Sequence, residues 1–238
     1  MKSFFAAVNP VKNRKAILSS VVFLFLIHAM AHAQSSAEPK LHFGMKLQPA
    51  LAWLKTDTKG IENNGSAFRF TYGFITEFKF AERYSLVTGI DISNRGGSTR
   101  STTTNVDTTV IIDKNWKLRY LELPFTLKLK TNEIGYLTYY LQFGIAPGFN
   151  IRAVADVDTT TTKPGASKTA SEDKVDVGKD VTFFNLSMII GLGAEYRFSG
   201  NTALFGGITF SNGFLDIASD NNTRVNSNHL GLSVGVLF

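Results

Sequence analysis

The chain has 238 residues, with 20 Gly, 20 Phe, no Cys, 18% charged residues and a formal net charge of +6. The absence of Cys excludes a disulfide framework, a thiolate metal site and a cysteine nucleophile, and the charged share falls below the ~25% usual for soluble domains. The positive charge raises the question of a nucleic-acid partner, and its position along the chain answers it.

Lys2, Lys12, Arg14 and Lys15 precede an apolar run over residues 16–27, and Ala31-His32-Ala33 follows. A basic start, a short apolar stretch and an A-x-A site form a secretory signal peptide, with cleavage expected after Ala33. The run is too short for a membrane-spanning helix, which needs about 20 apolar residues. Residues 1–33 contain four basic residues and no Asp or Glu, so their removal lowers the net charge from +6 to +2. Residues 34–238 then form one domain. They hold no stripe of basic residues interleaved with aromatics, and no nucleic-acid partner is expected.

The remaining chain alternates with a period of two, the mark of a β-strand with two unlike faces. Residues 41–54 carry Leu41, Phe43, Met45, Leu47, Leu51 and Trp53 on one face. Residues 68–80 carry Phe68, Phe70, Tyr72, Phe74, Phe78 and Phe80, with Arg69, Thr71, Gly73, Glu77 and Lys79 between them. The pattern returns over residues 84–93, 118–130, 136–148, 183–198, 202–212 and 229–238. The connections alternate in length. Residues 55–67, 94–117, 149–182 and 213–228 are read as long polar loops, and 81–83, 131–135 and 199–201 as tight turns. In an up-and-down meander every second connection lies at the same end, so the four long loops share one end. This predicts an all-β fold, an eight-stranded antiparallel up-and-down transmembrane β-barrel with short periplasmic turns and long extracellular loops.

A soluble lipocalin-like carrier has the same period but puts its apolar face inward. Here the non-apolar face is rich in Gly, Ser and Thr, which suits a cramped interior. The aromatics Trp53, Phe68, Phe70, Phe184 and Phe210 gather near the long-loop end. Phe78, Phe80, Tyr84, Tyr139, Tyr196, Phe198 and Phe238 gather near the tight turns. Two such belts are expected at the two membrane interfaces. The apolar face is therefore assigned to lipid, and the secreted carrier stands as the alternative. The inward phase carries Lys46, Arg69, Glu77, Lys79, Asp91, Glu122, Lys128, Glu195 and Arg197. Charges of both signs in so narrow a lumen are expected to pair into a polar network, with Glu122 near its centre.

The stretch Tyr120-Leu-Glu-Leu-Pro-Phe-Thr-Leu-Lys-Leu-Lys130 and the C-terminal Leu232-Ser-Val-Gly-Val-Leu-Phe238 resemble small outer-membrane barrels of the PorT-like family of Bacteroidetes-type bacteria. The resemblance implies a place in the bacterial outer membrane. It also implies a C-terminal signal, Leu232, Val234, Val236 and Phe238, read by the barrel-assembly machinery, and an accessory role in the envelope or in secretion. The partners expected are outer-membrane lipid, that machinery and an envelope protein.

No cofactor or metal site is expected, and the protein is read as non-enzymatic. Some small barrels modify lipid A with a His/Ser pair. Here His42 and His229 fall at opposite ends, and spacing places no carboxylate beside Ser227, Ser233 and His229. His229 is read as a solvated loop-edge residue. Loop 149–182 contains Asp156, Asp158, Glu172, Asp173, Asp176 and Asp180, but in no known Ca²⁺-loop spacing. The apolar patch 110–112 in the second long loop is expected to extend the barrel and offer an edge for strand addition by a partner. Pro49, Pro124 and Pro147 within strands each remove a ladder donor, and bulges or local widening are expected there.

Overall fold

A computed structural model describes residues 41–219 and 224–238. The expected signal peptide and the start of the domain at residue 34 lie outside them. The described residues form eleven strands: β1 Leu41–Thr56, β2 Ile61–Gly65, β3 Ala67–Ala81, β4 Tyr84–Asn105, β5 Thr108–Glu122, β6 Phe125–Lys130, β7 Leu137–Lys163, β8 Ala166–Asp176, β9 Phe184–Ser199, β10 Thr202–Gly213 and β11 Val225–Leu237. Each pairing between them is antiparallel.

The sheet closes on itself. β5 and β6 both lie between β4 and β7 and count as one barrel strand, interrupted at Leu123-Pro124. The ring therefore has eight strands. β1 pairs with β11 from Gly44↔Leu237 to Thr56↔Val225. The seam is finished by Phe238, whose N–H donates to the Phe43 carbonyl at 2.7 Å and whose carbonyl accepts from the Phe43 N–H at 3.2 Å. Closure leaves no barrel strand with an unpaired edge, which hydrocarbon would not tolerate.

The wall is apolar outside and polar inside. Phe74, Ile90, Leu192, Leu204 and Leu232 are exposed, while Gln48, Thr71, Glu77, Asp91, Thr126 and Lys128 are buried. This is opposite to a lipocalin-like carrier, whose lumen is apolar, and that alternative is set aside. The twelve aromatics assigned to the belts all lie on the exposed or half-buried outer surface. Trp53 stacks on Phe210 at 6.2 Å and Phe80 on Tyr84 at 6.3 Å, one pair near each end.

The long loops differ from expectation. Residues 94–117 are chiefly strand: β4 and β5 continue outward and pair as far as Asn105↔Thr108. Residues 149–182 include the outer half of β7 and β8, which pair to Lys163↔Ala166. Gly165 turns this tip with φ +83°, a conformation that costs glycine nothing. β2 lies within the expected loop 55–67 and pairs with β4. Thr and Ser made these segments look like loops, yet Thr is β-branched and favours strands once a neighbour completes the ladder. The patch 110–112 is correspondingly no edge. Ile111 pairs with both Thr102 of β4 and Thr160 of β7.

The prolines behave unequally. Pro124 coincides with the β5/β6 interruption. Pro147 lies beside it and accepts from the Leu123 N–H at 2.9 Å. Pro49 causes no bulge. The β1/β11 register is the same at Leu47↔Val234 and Ala50↔Gly231, and only the pairs between them are missing.

Candidate functional site

The lumen is filled in layers. Nearest the tight turns, Lys128 Nζ donates to Glu77 Oε2 at 2.9 Å and also bonds Glu195 Oε1. Lys130 Nζ bridges the same two carboxylates at 2.5 and 2.8 Å. Lys128 lies 4.5 Å from the centre of the Tyr140 ring. Space for that ring comes from facing glycines: a Cβ on Gly193 or Gly207 would lie 2.6 or 2.7 Å from Tyr140 Oη.

The next layer joins Lys46 to Asp91 at 2.6 Å. Above it, Arg95, only 1% exposed, holds Glu122 at 2.6 Å through Nε. Its two terminal nitrogens donate to Ser187 Oγ at 2.8 Å and Ser211 Oγ at 3.3 Å. A small cavity of about 50 Å³ remains between Gln48, Asp91, Glu122 and His229. Buried charges need such partners, since an unpaired one costs several kcal/mol.

Two of the expected lumen residues, Arg69 and Arg197, lie outside these layers. Arg69 donates to Asn115 Oδ1 at 3.1 Å and to the Trp116 carbonyl at 3.0 Å, at the outer end. Arg197 pairs with Glu133 at 2.6 Å beside a tight turn, with its side chain more than half exposed. Lys79 is half-buried near the same end. Two members were missed. Arg95 has the inward phase of Asp91 and Ser93, but lies beyond the point where that strand was expected to end. Lys130 continues the phase of Thr126 and Lys128. His229 is corrected from a solvated edge to a lumen residue, 6% exposed, opposite Ala52 and Ser211. His42 lies at the other end, opposite Glu77.

Above Arg95 the inner surface changes character. Leu54, Leu118, Tyr120, Ala153, Ala155, Val177, Val181, Ile217 and Val225 form an apolar core that caps the lumen. The 3-10 turn Gly178–Asp180 lies beside it, and the Ile217 carbonyl accepts from the Thr182 N–H at 2.8 Å. A cavity of about 410 Å³ opens next to this cap, lined by Ile112, Trp116, Ile217, Val225 and Lys114. Trp116 Nε1 donates to Thr99 Oγ1 at 2.9 Å.

β7 reaches this cap by a β-bulge. Arg119 pairs with Arg152, but Tyr120 pairs with Asn150, so Ile151 is an extra residue. Below it, Phe143 and Ile145 face outward. Above it, the same odd-numbered phase turns inward at Ala153 and Ala155, both buried. β5 makes the change without a bulge. Its inward residues simply pass from Glu122 to Tyr120, Leu118 and Trp116.

On the outside of this region the charges form discrete pairs. Arg100 grips Asp113 through Nε at 2.7 Å and Nη2 at 2.8 Å, and these bonds hold the Asp113 carboxyl below the usual carboxylate range. Lys117 pairs with Asp156, which also accepts from the Lys174 N–H at 3.0 Å. The Lys117 bond, followed by that backbone bond, lowers the Asp156 carboxyl. No three His, Cys, Asp or Glu side chains converge on a metal-sized site among the described residues.

A family model described as outer membrane protein beta-barrel domain matches residues 32–219. Among solved structures, the chain is similar to Neisserial surface protein A. The two are 12% identical with a TM-score of 0.41, covering 82% of this chain and 97% of that one. It is also similar to Ail, the attachment invasion locus protein of Yersinia pestis, at 14% identity and TM-score 0.38, covering 84% and 100%. OprG from Pseudomonas aeruginosa is 8% identical with a TM-score of 0.40, covering 85% and 98%. No curated protein matches the chain.

Proposed function

The chain belongs to the outer membrane protein beta-barrel domain family and resides in the bacterial outer membrane, and we propose that it is a non-conducting, non-enzymatic barrel that presents an extracellular β-sheet to an envelope protein. The observation carrying this reading is the outward continuation of β4, β5, β7 and β8. It rises from a lumen closed by ion pairs and an apolar cap. A pore needs an open lumen, whereas a rigid sheet above the membrane offers a defined surface for recognition.

The segment 120–130 supports assigning the protein to the PorT-like barrels of Bacteroidetes-type bacteria, with an accessory role in the envelope or in secretion. The belts meet outer-membrane lipid, and Leu232, Val234, Val236 and Phe238 serve the barrel-assembly machinery. The test is crosslinking in intact cells with the full chain and with a variant lacking residues 100–114. Loss of a specific protein adduct, with heat-modifiable migration retained, is the expected result. An unchanged adduct pattern overturns the proposal.

A further inference from the structure

We infer that the outer wall carries a binding site for a phosphate group in the headgroup of an outer-leaflet glycolipid. The site is a cleft of about 370 Å³ bordered by Phe68, Phe70, Arg69, Arg119, Arg152 and Lys174. Its centre is the pair Arg119 and Arg152, directly opposite each other across β5 and β7.

Three observations converge on an anion. First, like charges facing across a ladder repel, yet no carboxylate lies between these two. Arg119 donates through Nε to Asn94 Oδ1 at 3.0 Å. Arg152 is exposed and has no hydrogen-bond or ion-pair partner among the described residues. Among the described residues Asp156 is the carboxylate at the edge of the cleft: it pairs with Lys117 and its charge also reaches Arg69 and Lys174, while Arg119 and Arg152 have no such partner. Second, the facing pair exists because of the Ile151 bulge. An unbroken alternation from the inward-facing Asn150 would turn Arg152 into the lumen, and bulges often re-aim a side chain in this way. Third, the cleft lies at the aromatic belt. Asn94 Nδ2 donates to the Phe70 carbonyl at 2.8 Å, and Phe149 packs against Phe183 and Phe184 at 5.6 and 5.7 Å near the bulge on β7. Lipid headgroups sit at this depth. Two arginines paired across the ladder and lining one cleft suit the oxygens of a phosphate, which guanidinium forks can bond in pairs and a single ammonium cannot.

The commitment to lipid comes from this placement: the cleft opens sideways at the membrane interface, between Phe70 and the bulged strand. The test uses the purified full chain in mild detergent and native mass spectrometry. The probes are a bisphosphorylated lipid A, the same lipid after phosphatase treatment, and inorganic phosphate. The phosphorylated lipid is expected to bind roughly tenfold or more tightly than the treated one, the worth of one or two charge-assisted bonds. Arg119→Gln and Arg152→Gln, each confirmed folded by heat-modifiable migration, are expected to erase that difference. Equal binding of the two lipids, or variants that bind like the unmodified chain, would overturn the proposal. Inorganic phosphate that displaces the lipid at equal concentration would overturn its lipid source. The comparison of the two lipids uses the unaltered protein and decides the question even if a variant does not fold.

Discussion

The membrane wall and the sheet that extends beyond it are built from continuous strands, yet their faces have opposite polarity. In the wall, Phe74 and Leu192 point out while Glu77 and Lys128 are buried. In the extension, Lys117 and Arg119 point out while Leu118 and Ala155 are buried. The cause is the medium outside. Hydrocarbon accepts apolar side chains and leaves the polar ones to pair within, and water reverses this demand. β5 meets the change through its choice of residues, and β7 meets it by shifting phase at Ile151. Stability should therefore come from ion pairing in one region and from apolar packing in the other.

The largest effect expected is from breaking a lumen pair. Glu122→Ala leaves Arg95 buried without its carboxylate, and such losses cost about 3–5 kcal/mol. The heat-modifiable gel shift should move to a clearly lower temperature than that of the unaltered barrel. A shift at the same temperature would remove ion pairing as what holds the wall from within. Next is the cap. Leu118→Ala empties a site 1% exposed, and similar truncations cost about 2–5 kcal/mol. Denaturant unfolding in micelles should show a much smaller loss for Leu192→Ala, since Leu192 is 58% exposed to the lipid side. Equal losses would mean that the two regions do not differ in this way.

Deleting Ile151 should remove the bulge without turning the faces of the extension, because Arg152 then follows the inward-facing Asn150 directly and Ala153 and Ala155 still point inward. Limited proteolysis is expected to leave both the β7/β8 hairpin and the barrel uncut. A cut hairpin would show that Ile151 is not the one spare residue of this strand.

The smallest effect is electrostatic. Arg100 lowers the Asp113 carboxyl, so the pair contributes above the ordinary carboxylate pKa and fades as pH falls through the lowered one. Amide protection at the β4/β5 tip, taken against the intrinsic exchange rate at each pH, should fall in acid, and less so at high salt, where an exposed pair is already screened. A tip whose exchange protection does not change with acid would show that this pair adds nothing to the extension.

Much of the wall was legible along the chain. The period of two in residues such as Phe68, Phe70 and Phe74 identifies the strand and its apolar face, because adjacent side chains must point to opposite sides, and the small residues opposite and the aromatic belts point that face to lipid. The extension was hidden by its composition. Runs like Thr159 to Thr162 carry no apolar alternation, and their strand character depends on a partner strand far away in sequence. His229 was misjudged for a related reason: its phase was visible, but not that the apolar cap closes over it.

The order of residues, then, established that this chain alternates, which face is apolar, and that charges of both signs fall on the other face, all consequences of local geometry. Only the tertiary structure decided who pairs with whom. Arg95 meets Glu122, Lys130 joins Lys128 between two carboxylates, and Arg152 faces Arg119. These outcomes rest on the register between strands and on one inserted residue, and a single-residue shift moves every later side chain to the other face.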